Sequence, residues 1–448
     1  MIEDKNFLYN IKDLQKLFEN NMSVIFNSDY YKKNINNEHL DLREINKIIK
    51  KNSKSYNFSK INDELISEKN NLINNQNYKV LDLFCGAGGF SKGFEMAGLN
   101  IDTSIDINKV FIKTHKINFQ NSRSLSLDLN NFKPDKLNLK KNYFDVIIGS
   151  PPCQTFSSIG QGKIKSLNGN IKKDIRNYLY FSFIKFVNFF KPKYFLLENV
   201  PGFKTRYNGE MFNDFIKRLN KDYNISHDIL DAQNFGVPQT RKRLFIFGQI
   251  KTLNKEMNFF ESLKSLKIKR NTVKDAILDL PSITDDWRLD TLYYSKNDNL
   301  NFFQKKMRER NNFTVKNNIC RVSNLEAKEL FNYLKPGKRY SQLKKDVQKK
   351  IKLLKRFKSS IIHHRIKRLP LNDVCWTIIA HIGMDGYEYV HPTENRTLSV
   401  REAARLQGFP DDFVFTGNMR EQYVQVGNSV APLLAEQLGK KILNYLKD

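Results

Sequence analysis

The chain has 448 residues, a formal net charge of +28 and four cysteines. This length allows two or three domains, and cysteines without a Cys-x-x-Cys pair argue against a disulfide framework or a metal site. The start, MIEDKNFLYN, lacks the pattern of a secretory signal, and the most apolar stretch, 181–191, is too short to span a bilayer. We therefore expect a soluble intracellular protein, and its charge predicts a polyanionic partner, most simply nucleic acid.

The first 76 residues are rich in asparagine and lysine. Apolar residues follow helical spacing in IKDLQKLF (11–18) and LREINKIIKK (42–51). These patterns predict a helical N-terminal extension over 1–76. A DNA-contacting module and a packing or assembly appendage both remain open for it.

From residue 79, apolar strand patterns alternate with helical ones. One strand is predicted to start at residue 79. Further strands are predicted over 101–108, 124–130, 144–152, 193–202 and 243–250. A helix is predicted over 176–190. This alternation predicts an α/β fold, a Rossmann-like and mostly parallel sheet with helices on both faces, whose ligands bind at the carboxyl ends of the strands.

The pattern is irregular between about 251 and 375. Residues 335–370 contain fourteen lysines and arginines and one acid, interleaved with Tyr340, Phe357 and the pair His363–His364. This run favours a phosphate-tracking surface, with a solvated helix face as the alternative. Helical order returns with 399–413, closed by Gly408 and Pro410, and with a turn and final helix over 425–446. We predict a catalytic domain formed by 77–264 and 371–448, interrupted by a smaller, irregular domain at 265–370.

A glycine-rich turn, CGAGGFSKG (85–93), joins the first strand to a helix. It departs from the dinucleotide fingerprint because Ser91 stands where the third glycine should be, and no Gly-Lys-Ser/Thr follows for a P-loop. Asp106 ends the second strand and could accept from ribose hydroxyls, and Asp128 ends the third and could accept from an adenine amino group. S-adenosyl-L-methionine fits this pattern, although each aspartate singly also suits a helix cap or a turn.

The stretch SPPCQTFS (150–157) places Cys153 directly after the fourth strand, beside the predicted donor pocket. A thiolate that adds to C6 of a pyrimidine makes C5 nucleophilic enough to accept a methyl group. Glu198, at the end of the fifth strand, could hold or protonate N3. Arg241 and Arg243, two residues apart in a strand-like run, are predicted to share one face, to clamp a phosphate or the base carbonyl, and to favour the thiolate.

These motifs, in this order, resemble the bacterial DNA (cytosine-5) methyltransferase family of the restriction-modification type. DLFCGAGGFSKGF, SIDIN, SLDLN, GSPPCQTFS, ENVPGF, AQNFGVPQTRKRLFIFG, RTLSVREAARLQGFPDDF and QVGNSVAPL carry the resemblance over about 79–250 and 376–446. The resemblance implies that twelve residues bind S-adenosyl-L-methionine and that the product of the reaction is S-adenosyl-L-homocysteine. They are Phe84, Gly86, Gly88, Gly89, Asp106, Ile107, Asp128, Leu129, Pro152, Asn428, Ser429 and Val430.

The resemblance also implies Cys153 as nucleophile on a flipped-out cytosine in double-stranded DNA, with 265–370 as the target-recognition domain. Arg401 and Arg405 would help to seat that domain, or they are surface arginines. The last helix is expected to pack on the first strand. We further expect a protein that acts as a monomer on DNA, without membrane contact, in the cytoplasm and on the nucleoid. We also expect that a restriction endonuclease acts separately. A tRNA cytosine-5 methyltransferase is the alternative; the Cys-Phe-Thr triplet of that branch is missing after ENVPGF.

Overall fold

The computed structural model describes residues 8–10, 39–41, 78–152, 178–254, 256–283, 290–294, 299–309, 313–350 and 365–447. The chain divides into two compact units, 1–74 and 75–448. In the first unit, β1 (Leu8–Asn10) pairs antiparallel with β2 (His39–Asp41), a pairing that the helical pattern did not predict. The predicted helices at 11–18 and 42–51 lie outside the described residues.

The second unit is built on a seven-stranded sheet with the order β5-β4-β3-β6-β7-β9-β8. Its strands are β3 (Lys79–Leu83), β4 (Asn100–Asp106), β5 (Arg123–Ser126), β6 (Val146–Gly149), β7 (Tyr194–Asn199), β8 (Tyr223–Asp231) and β9 (Lys242–Ile250). Strands β3 to β7 are parallel, and β9 runs antiparallel to both of its neighbours. The mostly parallel sheet is therefore confirmed. Strand β8 escaped prediction because it is an edge strand, half-buried along most of its length, without a continuous apolar run.

The described α-helices lie between and after these strands. They are α1 (Gly89–Met96), α2 (Lys109–Asn118), α3 (Tyr180–Phe190), α4 (Gly202–Thr205), α5 (Glu210–Leu219), α6 (Phe259–Lys264), α7 (Val273–Ile277), α8 (Phe302–Arg308), α9 (Leu325–Tyr333), α10 (Lys345–Lys350), α11 (Val400–Gln407), α12 (Met419–Asn428) and α13 (Pro432–Lys447). Helix α11 ends at Gly408 in the left-handed conformation, as its sequence predicts. The predicted turn and final helix over 425–446 is only partly right, because α12 continues through Asn428 and the turn before Pro432 is short.

Alternate residues of the strands point into two apolar cores, one on each face of the sheet. Leu81, Phe195 and Ile246 face the core that contains α3 and α5. Their neighbours Val80 and Leu196 face the core that contains α1 and α13. Both faces are covered, so the sheet edge formed by the carboxyl ends of β3, β4, β6 and β7 is where polar groups can meet a ligand.

The predicted recognition segment, 265–370, is divided between two cores. Its first part, with Val273, Phe303 and Met307, packs into the α1–α13 core. Its later part, with Leu330 and Tyr340, belongs to a separate small core. A short antiparallel pair, β10 (Thr291–Tyr293) and β11 (Thr314–Lys316), lies in the first part.

Across the described part of the chain, every helix is too short or too polar to cross a bilayer.

Candidate functional site

The glycine turn after β3 requires unusual backbone conformations. Phe84, Gly86 and Gly88 all have positive φ, at 57°, 56° and 103°. A Cβ on Gly88 would lie 2.5 Å from Cε2 of Phe119 and 2.9 Å from Cδ2 of His115. A Cβ on Gly86, by contrast, would meet no described atom within 4 Å, so this part of the turn presents open backbone. The turn thus leaves backbone accessible where α1 begins.

Asp106 and Asp128 both stabilise the turns that follow their strands. The Asp106 carboxylate accepts from the backbone N–H of Gly86 at 3.0 Å and from that of Asn108 at 2.8 Å. Burial raises the pKa of Asp106, and these backbone hydrogen bonds oppose the shift. Asp128 accepts from the N–H of Asn130 at 2.9 Å. Each carboxylate oxygen can accept more than one hydrogen bond, so the turn role leaves capacity for ligand hydroxyl or amino groups.

The residues after these two aspartates differ in exposure. Ile107 is 65% exposed beside Asp106, whereas Leu129 is buried in the core that contains α3 and α5. An exposed isoleucine at the strand ends is available for apolar contact with a ring.

The peptide that leads into Cys153 is tethered on both sides. The backbone N–H of Ser150 donates to Leu83 at 3.3 Å, and its hydroxyl donates to the Phe84 carbonyl at 3.4 Å. The Pro151 carbonyl accepts from the Asn199 side chain at 3.4 Å. Pro152 is exposed, and Cys153 itself lies outside the described residues. Ser150 and Pro151, just before the predicted nucleophile, are therefore held between the ends of β3 and β7.

Glu198 and Arg243 form a largely buried ion pair at the same edge. Because β7 and β9 are antiparallel, the arginine near the start of β9 reaches the carboxylate near the end of β7. The Nε atom of Arg243 lies 3.0 Å from Oε1 of Glu198, whose residue is 8% exposed. Burial raises the pKa of Glu198 despite the opposing charge of Arg243 and then of Arg241. The carboxyl group therefore takes up a proton more readily than an exposed glutamate does.

Arg241 makes contacts that differ from those of Arg243, and the predicted clamp on a phosphate or the base carbonyl stays a prediction. Arg241 is buried, and its guanidinium donates to the carbonyls of Ile378 at 2.8 Å, Gly427 at 3.1 Å and Ser429 at 2.9 Å. Arg241 directly precedes β9, which starts at Lys242, and the charges of both arginines act on Glu198. These contacts assign Arg241 to the frame of the site, and Arg243 contacts Glu198.

The chain returns to the glycine turn through Asn428, Ser429 and Val430. Asn428 is exposed, and the other two are buried. A Cβ on Gly89 would overlap the Val430 carbonyl oxygen and lie 2.8 Å from Cβ of Ser429. The last helix, α13, packs on α1, where a Cβ on Gly439 would lie 2.8 Å from Cβ of Ala97, and it shares a core with Val80 of β3.

A buried polar chain beneath the turn was not predicted. The Ser91 hydroxyl donates to Oδ2 of Asp82 at 2.6 Å, His115 Nε2 lies 3.1 Å from Ser91 Oγ, and His115 Nδ1 lies 2.8 Å from Ser124 Oγ. Burial lowers the pKa of His115 to about 3, so the ring is neutral, and burial raises the pKa of Asp82 to about 7. The only sequence signal was an aspartate at an inward position of an apolar strand.

Arg401 and Arg405 are completely buried, which excludes the surface alternative. Arg401 donates to the carbonyls of Lys316, Pro410 and Phe413. Arg405 donates to Asp411 and to Asp279, and these contacts join α11 to the first part of the 265–370 segment. The role of these arginines in seating a recognition domain stays a prediction.

In the part of 335–370 that the structure describes, some basic side chains are exposed and others are buried. Five cations are exposed: Lys335, Lys338, Arg339, Lys344 and Lys345. Arg368 is buried and donates to the carbonyls of Phe331, His391 and Glu394, and Tyr340 belongs to the small core. Tyr340 is therefore not the interleaved surface aromatic that the sequence suggested; Phe357, His363 and His364 lie outside the described residues.

The family model of C-5 cytosine-specific DNA methylases matches residues 78–444. The type II methyltransferase M.DdeI of Desulfomicrobium norvegicum is 31% identical over 82% of this chain and 89% of its own. The type II methyltransferase M1.HphI of Haemophilus parahaemolyticus is 30% identical over 81% of this chain and 86% of its own. A solved structure from E. coli, described as a DNA modification methyltransferase encoded within a prophage, superposes with a TM-score of 0.66. It is 28% identical and covers 83% of this chain and 100% of its own.

Proposed function

We propose a mechanism for this chain from the premise that it belongs to the C-5 cytosine-specific DNA methylase family and transfers methyl groups to C5 of cytosine in DNA. The Cys153 thiolate adds to C6 of the cytosine, and C5 gains the electron density that lets it accept a methyl group. The C5 proton then leaves, the C6–sulfur bond breaks, and the thiolate is regenerated. The tether of Ser150 and Pro151 to neighbouring strand ends supports Cys153 at this position.

The buried Glu198–Arg243 pair is the observation that carries this proposal. A carboxyl group with a raised pKa can donate a hydrogen bond or a proton to N3, which draws electrons into the ring as sulfur adds to C6. Arg243 holds that carboxyl group in place at 3.0 Å and keeps positive charge beside the ring. Arg241 acts on the pair through the backbone and its charge.

The methyl donor in this proposal is S-adenosyl-L-methionine, which supplies an electrophilic methyl group when bound. The open backbone at Gly86 fits a ligand at close approach. Asp106 would accept from the ribose hydroxyls and Asp128 from the adenine amino group, with Ile107 against a ring face. The remaining donor-site residues are those that the resemblance implies: Phe84, Gly88, Gly89, Leu129, Pro152, Asn428, Ser429 and Val430.

Duplex DNA hides C5 and C6 in the base stack, so we propose that the target cytosine is flipped into the site at a cost of a few kcal/mol. The exposed cations from Lys335 to Lys345 would contact phosphates. We also propose that 265–370 reads the DNA word, that the enzyme acts as a monomer on the nucleoid, and that a separate restriction endonuclease accompanies it. The type II methyltransferases among the relatives support the proposal of a separate restriction endonuclease.

A mechanism-based trap tests the proposal. Bisulfite sequencing of DNA from an expressing host first identifies the methylated word. A duplex with 5-fluorocytosine at that position should become covalently attached at Cys153 in the presence of S-adenosyl-L-methionine, because fluorine cannot leave as the proton does. Cys153→Ala should abolish attachment and methylation, while Cys320→Ala, a buried cysteine outside the site, should retain both. Attachment that persists in Cys153→Ala would exclude this thiol as nucleophile.

A further inference from the structure

Residues 239–241 bring together three segments that are distant in sequence. Oε1 of Gln239 accepts from the backbone N–H of Ile378 at 2.8 Å, and its Nε2 donates to Oε1 of Gln407 at 2.7 Å. Gln407 in turn donates to the Ser429 carbonyl at 2.6 Å. All of these side chains are buried, so these hydrogen bonds are shielded from competition with bulk water.

Arg241 closes this network with a charge. Its guanidinium contacts the Ile378 carbonyl on one segment and the carbonyls of Gly427 and Ser429 on another. A planar guanidinium can hold several acceptors in a fixed geometry, whereas a lysine ammonium on a flexible stem cannot reproduce that fork. The two segments also approach each other directly, because a Cβ on Gly427 would lie 2.7 Å from Cα of Ala380.

The same residue is tied to the catalytic edge by the backbone. The N–H of Arg241 donates to Oδ1 of Asp231 at 3.0 Å, which fixes the chain just before β9. Two residues later, Arg243 pairs with Glu198. On the other side, Ser429 is followed by Val430, whose carbonyl lies against Gly89 in the glycine turn.

We propose that Arg241 is a positioning residue that links the wall of the donor pocket, Gly427–Val430, to the Glu198–Arg243 pair. This inference rests on the proposed donor and base sites. Loss of the fork frees the wall, which weakens donor binding, and shifts the start of β9, which displaces Arg243 from its working position. Loss of the Gln407 hydrogen bond frees the wall and leaves β9 in place.

The test compares Arg241→Lys, Gln407→Met and Arg401→Lys with the native chain. Arg401 is the matched control because it is equally buried and also donates to three backbone carbonyls, but none in the donor wall. Calorimetry with S-adenosyl-L-homocysteine gives the affinity of the donor site without turnover, and urea unfolding gives the stability. For the first two variants, methylation of plasmid DNA over a range of donor concentrations up to saturation gives kcat and the donor KM.

Arg241→Lys should weaken S-adenosyl-L-homocysteine binding about tenfold or more and lower kcat as well. Gln407→Met should raise the donor Kd and KM with kcat within about twofold of the native value. Arg401→Lys should lose stability with donor Kd within about twofold of native. If Arg241→Lys loses stability alone, with native donor Kd, or fails to fold while Gln407→Met binds like the native chain, the inference is wrong. A native chain that binds no S-adenosyl-L-homocysteine would instead overturn the proposed function.

Discussion

Gly89→Ala probes the contact between the glycine turn and the returning chain. The new methyl group would overlap the Val430 carbonyl oxygen and lie 2.8 Å from Cβ of Ser429. Gly89 does not have a positive φ, so the substitution introduces steric conflict without backbone strain. Relief requires a shift of roughly 1 Å, because normal carbon–carbon contacts are about 3.5–4.0 Å.

The short link between α12 and α13 should move in preference to α1, which is packed closely on α13. Overpacking of this kind costs about 1–3 kcal/mol. If donor binding must restore the native wall, that strain appears as a loss of donor affinity of about 5- to 150-fold. If the wall cannot move, the strain remains in the folded protein and lowers its unfolding free energy by about 1–3 kcal/mol.

Calorimetry with S-adenosyl-L-homocysteine and urea unfolding separate the two outcomes. We expect donor binding to weaken about tenfold, since the wall is the softer partner. Gly439→Ala is the control: it overpacks the α1–α13 contact against Ala97, away from the wall, and should lower stability alone. Native donor affinity and native stability in Gly89→Ala would refute the close contact itself, and native affinity with lost stability would refute the expectation that the wall moves.

Three further substitutions test the buried charges. Because burial raises the pKa of Asp82 to about 7, the folded chain holds a proton that the unfolded chain loses above about pH 4. Stability should therefore fall by up to roughly 4 kcal/mol as pH rises from 4 to 7, and Asp82→Asn should remove that slope in urea unfolding at each pH; an unchanged slope would exclude Asp82 as its source. Glu198→Gln should lower kcat by about 10²–10⁴ in a tritiated methyl-transfer assay with S-adenosyl-L-homocysteine affinity unchanged, and near-native turnover would argue against the N3 role. Arg405→Met removes one charged partner from each of two buried carboxylates, Asp411 and Asp279, and should reduce the unfolding free energy by about 3–5 kcal/mol. A loss below about 1 kcal/mol would indicate that their remaining partners, Tyr294 and Arg308, are enough to stabilise them.

Local patterns were enough to locate the sheet and its ligand-binding edge. Apolar runs end at Leu83, Asp106, Gly149 and Asn199, and in a parallel sheet these ends lie side by side. The motifs that follow each strand are therefore neighbours in space although they are far apart in sequence. The Glu198–Arg243 pair follows from the same logic once β9 is antiparallel to β7.

The same patterns could not distinguish a ligand-facing arginine from a structural one. Arg241 and Arg243 have the same chemistry and a spacing of two, yet one contacts three carbonyls and the other a carboxylate. Arg401 and Arg405 resemble an exposed helix face, but carbonyls and acids from elsewhere in the chain cover them. Spacing reports the face on which a residue lies, and only tertiary structure reports what covers that face.

Burial of these arginines has a consequence for how the site forms. A buried guanidinium without acceptors would strongly destabilise the fold. Arg241 can therefore be buried only when Ile378, Gly427 and Ser429 are in place to accept its hydrogen bonds. Those residues lie more than 130 positions later in the chain. The turn at Gly89 and the wall at Val430 meet under the same condition. The donor pocket and the catalytic pair therefore both depend on the packing of the C-terminal segment against the region before β9. Local sequence patterns cannot predict this long-range contact.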